Sequence, residues 1–104
     1  MEKATADTTE FEPFYAGDVQ AGEVHWLAKG VSGIWRALPG QVPDEVPYFF
    51  EKPEHLHILE GTVHITTEDG ETTTLTAGDV AWYPAGVNST WRFETPFRKF
   101  FVDA

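Results

Sequence analysis

The stretch Gly78–Trp91, GDVAWYPAGVNSTW, decides how this chain is read. Gly78-Asp79 is a turn dipeptide and Pro84-Ala85-Gly86 is a second breaker, so Val80 to Tyr83 is pinned as a short strand between them. No helical period fits in that space. A second strand opens at Ser89, and its alternation sets Trp91 and Phe93 on one face and Thr90, Arg92 and Glu94 on the other. The local prediction is a two-strand corner around a Pro-x-Gly bend.

The same period of two extends in both directions. Glu54 to Leu59 places Glu54, Leu56 and Ile58 on one face and His55, His57 and Leu59 on the other, and Glu60-Gly61 is expected to turn the chain. Thr62 to Thr67 carries Val63 and Ile65 on one face, and Glu68-Asp69-Gly70-Glu71 predicts a hairpin into Thr72 to Leu75. Upstream, Val46 to Phe50 is a short aromatic strand whose Pro47 marks an edge or a bulge. Val31 to Leu38 is a strand ending at Pro39-Gly40, Glu23 to Ala28 alternates more weakly, and Phe97 to Val102 closes the chain. Roughly nine or ten short strands separated by turn signals, with no helical period, predict an all-β sandwich or barrel.

Met1 to Glu10 is polar and without period, whereas Phe11 to Tyr15 gathers three aromatics around Pro13 and should pack on the body or on a partner subunit. The expected organisation is an N-terminal arm over residues 1–17 and one β-barrel domain over 18–104. At 104 residues the chain can bury one core but not two. Seventeen acidic against seven basic residues give a net charge of −10, a field that repels phosphate backbones and anionic bilayers. Nucleic acid and membranes are therefore excluded as main partners, and the plain reading of the charge is solubility. The absence of cysteine removes disulfides, thiolate nucleophiles and thiolate metal sites. No secretory pattern opens the chain, so the expected location is cytoplasmic.

Glu54-His-Leu-His-Ile-Leu-Glu-Gly61 followed by Gly78-Asp-Val-Ala-Trp-Tyr-Pro-Ala-Gly86 resembles the paired motifs of the cupin superfamily, whose members are small double-sheet jelly rolls. Within it, Val31 to Val102 is similar to the single-domain branch that includes the cupin domains of (S)-ureidoglycine aminohydrolase and of an ethanolamine-utilisation protein. Ser32-Gly-Ile-Trp35 with Pro39-Gly40, Glu68-Asp-Gly70, Thr90-Trp91 and Pro96-Phe-Arg-Lys99 carry that likeness. The resemblance implies a cavity inside the barrel, a homodimer, and four metal-ligand positions that fall here on Pro47, Phe49, Glu54 and Ser89. Only Glu54 keeps a ligand side chain, so the usual His-rich site for zinc, manganese or iron is not expected, and no metal cofactor is predicted. By the same transfer Phe49, Glu54 and Ser89 line the cavity; alternation adds Trp91 and Phe93. Trp35 is expected as another wall, with Tyr48 and Tyr83 as donors at the mouth.

Glu54 also stands out without the resemblance. A carboxylate sharing a face with Leu56 and Ile58 needs a partner or a proton. Lys99, between Phe97 and Phe101 on one face of the closing strand, is the expected partner. The bland reading of the two is a structural ion pair, or simple exposure at the barrel rim with Lys99 snorkelling outward. The functional reading makes Glu54 an acid or base and Lys99 the group that fixes a carboxylate or carbonyl oxygen. His55 and His57 share a face suited to a metal, but that face points outward, and His64 joins them only if Glu60-Gly61 closes a tight hairpin. The reading is a small cupin that binds a small polar or carboxylated metabolite in an aromatic pocket, with or without acid/base chemistry at Glu54. Its rivals are a metal-dependent, aminohydrolase-like enzyme using Glu54 or the His55/His57 pair, and a non-catalytic dimeric sensor.

Overall fold

The computed structural model describes residues 1–16 and 18–104. Among them are eight strands and no helix: β1 (Glu12–Ala16), β2 (Val19–Ala28), β3 (Ser32–Ala37), β4 (Val46–Phe49), β5 (Glu54–Thr67), β6 (Thr72–Thr76), β7 (Val80–Tyr83) and β8 (Asn88–Asp103). They form one antiparallel sheet in the order β1-β2-β3-β8-β5-β6, with β4 added on β8 and β7 on β5. This is an all-β jelly roll.

Fewer and longer strands replace the nine or ten expected, because two predicted breaks are bends inside strands. Glu60-Gly61 does not close a hairpin. β5 runs through it, paired with β8 from Glu54↔Asp103 to Thr67↔Ser89, with the register slipping on either side of Glu60. Gly61, at φ +80°, absorbs the slip as a bulge. On β8 the facing position is Pro96, after a cis Thr95–Pro96 bond. The bent β5–β8 ribbon brings the two halves of the sheet face to face. Aromatic rings from both halves meet between them: Trp35 lies 5.1 Å from Phe93 and 5.9 Å from Phe97 between centroids. Phe50, Phe97, Ile58, Ile65, Val24 and Val63 are fully buried there, each worth about 1.5–3 kcal/mol of apolar transfer.

The Pro-x-Gly corner forms as predicted. Gly86 donates to the Phe50 carbonyl at 2.7 Å and Phe50 donates to that of Val87 at 3.0 Å, so the bend is stitched to the end of β4. The aromatic part of the expected arm is β1, paired with β2 and with Phe14 packed on the core. The tail before it is held by Arg98, whose Nη1 donates to the Ala6 and Thr8 carbonyls at 2.8 Å, and by Phe11 under the Arg36 guanidinium at 4.0 Å. The expected arm boundary falls on Gly17, outside the described residues.

Candidate functional site

Beside the core a cavity of about 440 Å³ opens between the strands, walled by Trp26, Trp35, Trp91, Phe93 and Phe101, with Phe14 and Tyr15 of β1 at its edge. Its polar floor is one cluster. Glu54 opens β5 at 1% exposure, and its inward direction follows from sharing a face with buried Leu56 and Ile58. Lys99 stands on β8 between Phe97 and Phe101, and its Nζ donates to Glu54 Oε2 at 2.7 Å. Tyr48 of β4 donates its phenol proton to Glu54 Oε1 at 2.8 Å. Both carboxylate oxygens are thus taken. The Lys99 ammonium also lies 4.5 Å from the Trp91 ring centre, 5.3 Å from Phe101 and 5.6 Å from Trp35, a cation among ring faces.

Burial works against ionising Glu54, but the Lys99 charge and hydrogen bonds from Lys99, Tyr48 and Asp103 outweigh it and hold the carboxyl below its usual range. Tyr48 moves the other way: burial, then the Glu54 charge and its hydrogen bond, push the phenol far above its ordinary value. Asp103 is pushed up to about 7, first by burial and then by the charge and hydrogen bond of Glu54, against the pull of Lys99 and Lys52.

These shifts have opposite signs in stability. Glu54 contributes above its unfolded value and loses that contribution as pH falls through its lowered folded one. The folded chain holds the Asp103 proton from about pH 4 to about 7 while the unfolded chain releases it. Its contribution is therefore complete below the unfolded value and lost as pH rises to about 7. We expect the urea midpoint of the wild type to fall over that window and that of Asp103→Asn to fall less, since the amide keeps a donor and cannot ionise. Parallel profiles for the two proteins would refute this.

The sequence-predicted residues divide. Trp35 and Trp91 are walls, and Glu54, Lys99 and Tyr48 meet in the floor. Phe49 lines the cavity only at its rim, 48% exposed, while Tyr48 and Phe50 turn inward. The reason is register. Tyr48 lies opposite Ser89, which is buried, and Phe49 opposite exposed Asn88, so β4 takes its phase from β8. Ser89 is buried but does not line the cavity; its hydroxyl donates to the Tyr48 carbonyl at 2.7 Å and accepts from Trp91 Nε1 at 2.9 Å. It fixes two wall residues. Tyr83 is not at the mouth either, because its ring stacks on Phe50 at 4.9 Å on the other side of the core. Asp103, Trp26 and Phe101 were not singled out from the sequence, although period two from Phe97 leads to both Phe101 and Asp103.

The four transferred ligand positions do not fit a divalent ion: Pro47 and Phe49 carry no donor, the Ser89 hydroxyl is turned to the Tyr48 carbonyl, and the Glu54 carboxylate is already bound to the Lys99 ammonium. The histidines are scattered. His55 and His57 are exposed on the outer face opposite Trp82 and Val80, and His64 bonds Thr74 at 2.9 Å and Glu94 at 2.7 Å further along β5. Among the described residues no three His, Asp or Glu side chains gather as a metal site. No described helix is long and apolar enough to cross a membrane.

Comparison with known proteins places this geometry. The chain is 31% identical to a DUF861 family protein of Thermotoga maritima, covering 68% of this chain and 76% of that one with a TM-score of 0.61. It is 29% identical to a putative ethanolamine utilization protein Q of Salmonella typhimurium, with a TM-score of 0.56 over 68% of this chain. It spans about half, 54%, of that protein's length. The Drosophila melanogaster CENP-C cupin domain shares the fold at a TM-score of 0.68 and 14% identity, over 91% of this chain and 71% of that one. No curated protein matches the sequence. The profile of the EutQ-like cupin domain matches residues 24–101, three quarters of the sequence and all of β3 to β7, and the chain belongs to that family.

Proposed function

We propose that the chain binds a small polar or carboxylated metabolite in the aromatic cavity without a metal ion, its apolar part against Trp26, Trp35 and Trp91 and its polar end on Lys99. One observation carries this reading. An ammonium has three donors; Lys99 gives one to Glu54, and no other acceptor for it stands among the described residues, while its residue lines the cavity. A ligand carboxylate or carbonyl oxygen supplies the missing acceptor in a site whose other walls are apolar. Acid/base chemistry on the bound molecule is part of the same reading.

A ligand that binds only the folded chain raises its melting temperature with concentration. In a screen of small carboxylates, ureides and divalent ions, we expect an organic acid or ureide to stabilise the wild type. Calorimetry with natively folded Lys99→Met should show at least a tenfold loss of its affinity, about 1.4 kcal/mol. Equal affinity in the variant, or one equivalent of tightly held metal in the purified protein, would refute the reading. The same preparations report on assembly. A homodimer is supported by edge strand β7, where Val80 and Trp82 are 72% and 55% exposed. A monomeric wild type in sedimentation would remove it.

A further inference from the structure

Asp103 ends β8 on the face that carries Phe97, Lys99 and Phe101, and it lines the cavity. It stands directly across the ladder from Glu54. Its Oδ1 is buried and has no hydrogen-bond partner among the described residues. A buried carboxylate oxygen without a donor is costly, and the group facing it is an anion whose two oxygens already accept from Tyr48 and Lys99. One proton between the two carboxyls removes both problems, because it turns the orphaned acceptor into a donor and ends the repulsion. The neighbours decide where it sits. Lys99 and Tyr48 are bonded to Glu54 and keep it ionised; Asp103 has no such partners.

We propose that Asp103 holds this proton as a carboxylic acid shared with Glu54, and that Asp103 rather than Glu54 is the acid–base group the cavity presents to a bound molecule. The second half rests on the cavity being the binding site. The charged groups around Asp103 pull in both directions: Glu54 from β5 raises its affinity for the proton, Lys99 from β8 and Lys52 from the loop before β5 oppose it, and burial together with Glu54 prevails. Tyr48 from β4 and Glu51 from that loop complete the polar lining. Near neutrality the pair can give a proton or take one, which suits substrates with a weakly acidic N–H or C–H beside a carbonyl or an imine.

The test uses the full chain and two readouts. Carbon-13 carboxyl NMR should show one carboxyl titrating near neutral pH, absent from Asp103→Asn and moved down toward the ordinary aspartate range in Glu54→Gln. This readout needs no ligand and no variant to detect the titration. The second probe is 5-nitrobenzisoxazole, a flat carbon acid. Ionised Asp103 takes its C3 proton, the C–H electron pair forms the nitrile, the ring N–O bond breaks and the phenolate leaves. Elimination above the buffer rate should rise about tenfold per pH unit below the NMR midpoint, level off above it, and fall at least about tenfold in Asp103→Asn. A wild type with no carboxyl titrating above about pH 5.5 overturns the shared proton. Elimination that is absent, or unchanged by Asp103→Asn, overturns the acid–base role. Neither result touches ligand binding at Lys99, and failure of every ligand in the screen leaves the NMR titration standing.

Discussion

Lys99→Met destabilises the protein by about 3–5 kcal/mol, and Glu54→Gln by a similar amount, while the double variant loses less than the sum. The cause is burial. Glu54 is 1% exposed and Lys99 is 8% exposed, so removing either charge strands the other where it has little contact with water. In Lys99→Met the carboxylate keeps only the Tyr48 bond and the contact with Asp103, and it regains balance only by taking up a proton. Its folded pKa then rises, and the deficit grows with pH. In Glu54→Gln the ammonium keeps its ring faces, worth about 0.5–2 kcal/mol, but faces at most a neutral amide oxygen in place of the carboxylate that balanced its charge. A loss of this size lowers the melting midpoint of a domain of this length by about 15 °C or more. Denaturation of the four proteins at pH 7 measures the coupling. Additive losses would mean that the pair is solvated in solution and its 2.7 Å contact does not matter to stability.

Much of that pair was legible from period-two alternation. Glu54 shares a face with Leu56 and Ile58, and Lys99 lies between Phe97 and Phe101, so alternation made them candidate partners; that Lys99 turns inward rather than to the rim is settled by its 2.7 Å bond to Glu54. Continuing the same count reaches Asp103, but a carboxylate near the end of a strand normally reads as a surface group. What alternation within one strand cannot supply is its phase when both faces carry aromatics. β4 reads Val-Pro-Tyr-Phe and is followed by Phe50; either Phe49 or Phe50 could have been the inward ring. The choice lies 40 residues away, in Ser89 and Trp91 across the ladder. Tyr83 escaped for a related reason: β7 pairs with β5 rather than with β4 or β8, which carries its ring to the far side of Phe50.

The outer face shows how a correct local reading can give a wrong connection. His55, His57 and His64 were placed on one side of their strands, and all three do point away from the core. Whether they cluster depended on Glu60-Gly61. A two-residue hairpin would have folded His64 onto His57. A bulge keeps β5 running instead, so that His57 faces Phe100 and His64 faces Arg92 on β8. Turn propensity cannot separate the two outcomes, since both need a glycine with positive φ. The deciding partner is β8, which runs beside β5 for its whole length and bends with it.

That bend predicts the effect of Gly61→Ala. A Cβ there would lie 2.3 Å from the Pro96 carbonyl oxygen, 2.8 Å from that of Glu94 and 3.0 Å from the Phe97 Cα, all backbone atoms that no rotamer change can move. The left-handed conformation itself costs a non-glycine residue about 1–2 kcal/mol, and separating two packed strands adds about 1–3. A total of about 2–5 kcal/mol is expected in urea unfolding. Gly70→Ala isolates the first contribution, because Gly70 has φ +88° but nothing within 4 Å of its Cβ; it should cost no more than about 1–2 kcal/mol. The location of the damage matters as well as its size. Phe97 and Lys99 follow the bend on β8, so pushing the ribbon apart at Gly61 should displace both, and Gly61→Ala should weaken ligand binding at Lys99 while Gly70→Ala leaves it intact. If Gly61→Ala costs no more than Gly70→Ala, the ribbon yields at this point, and the close approach of β5 and β8 is not what holds the two halves of the barrel over the cavity.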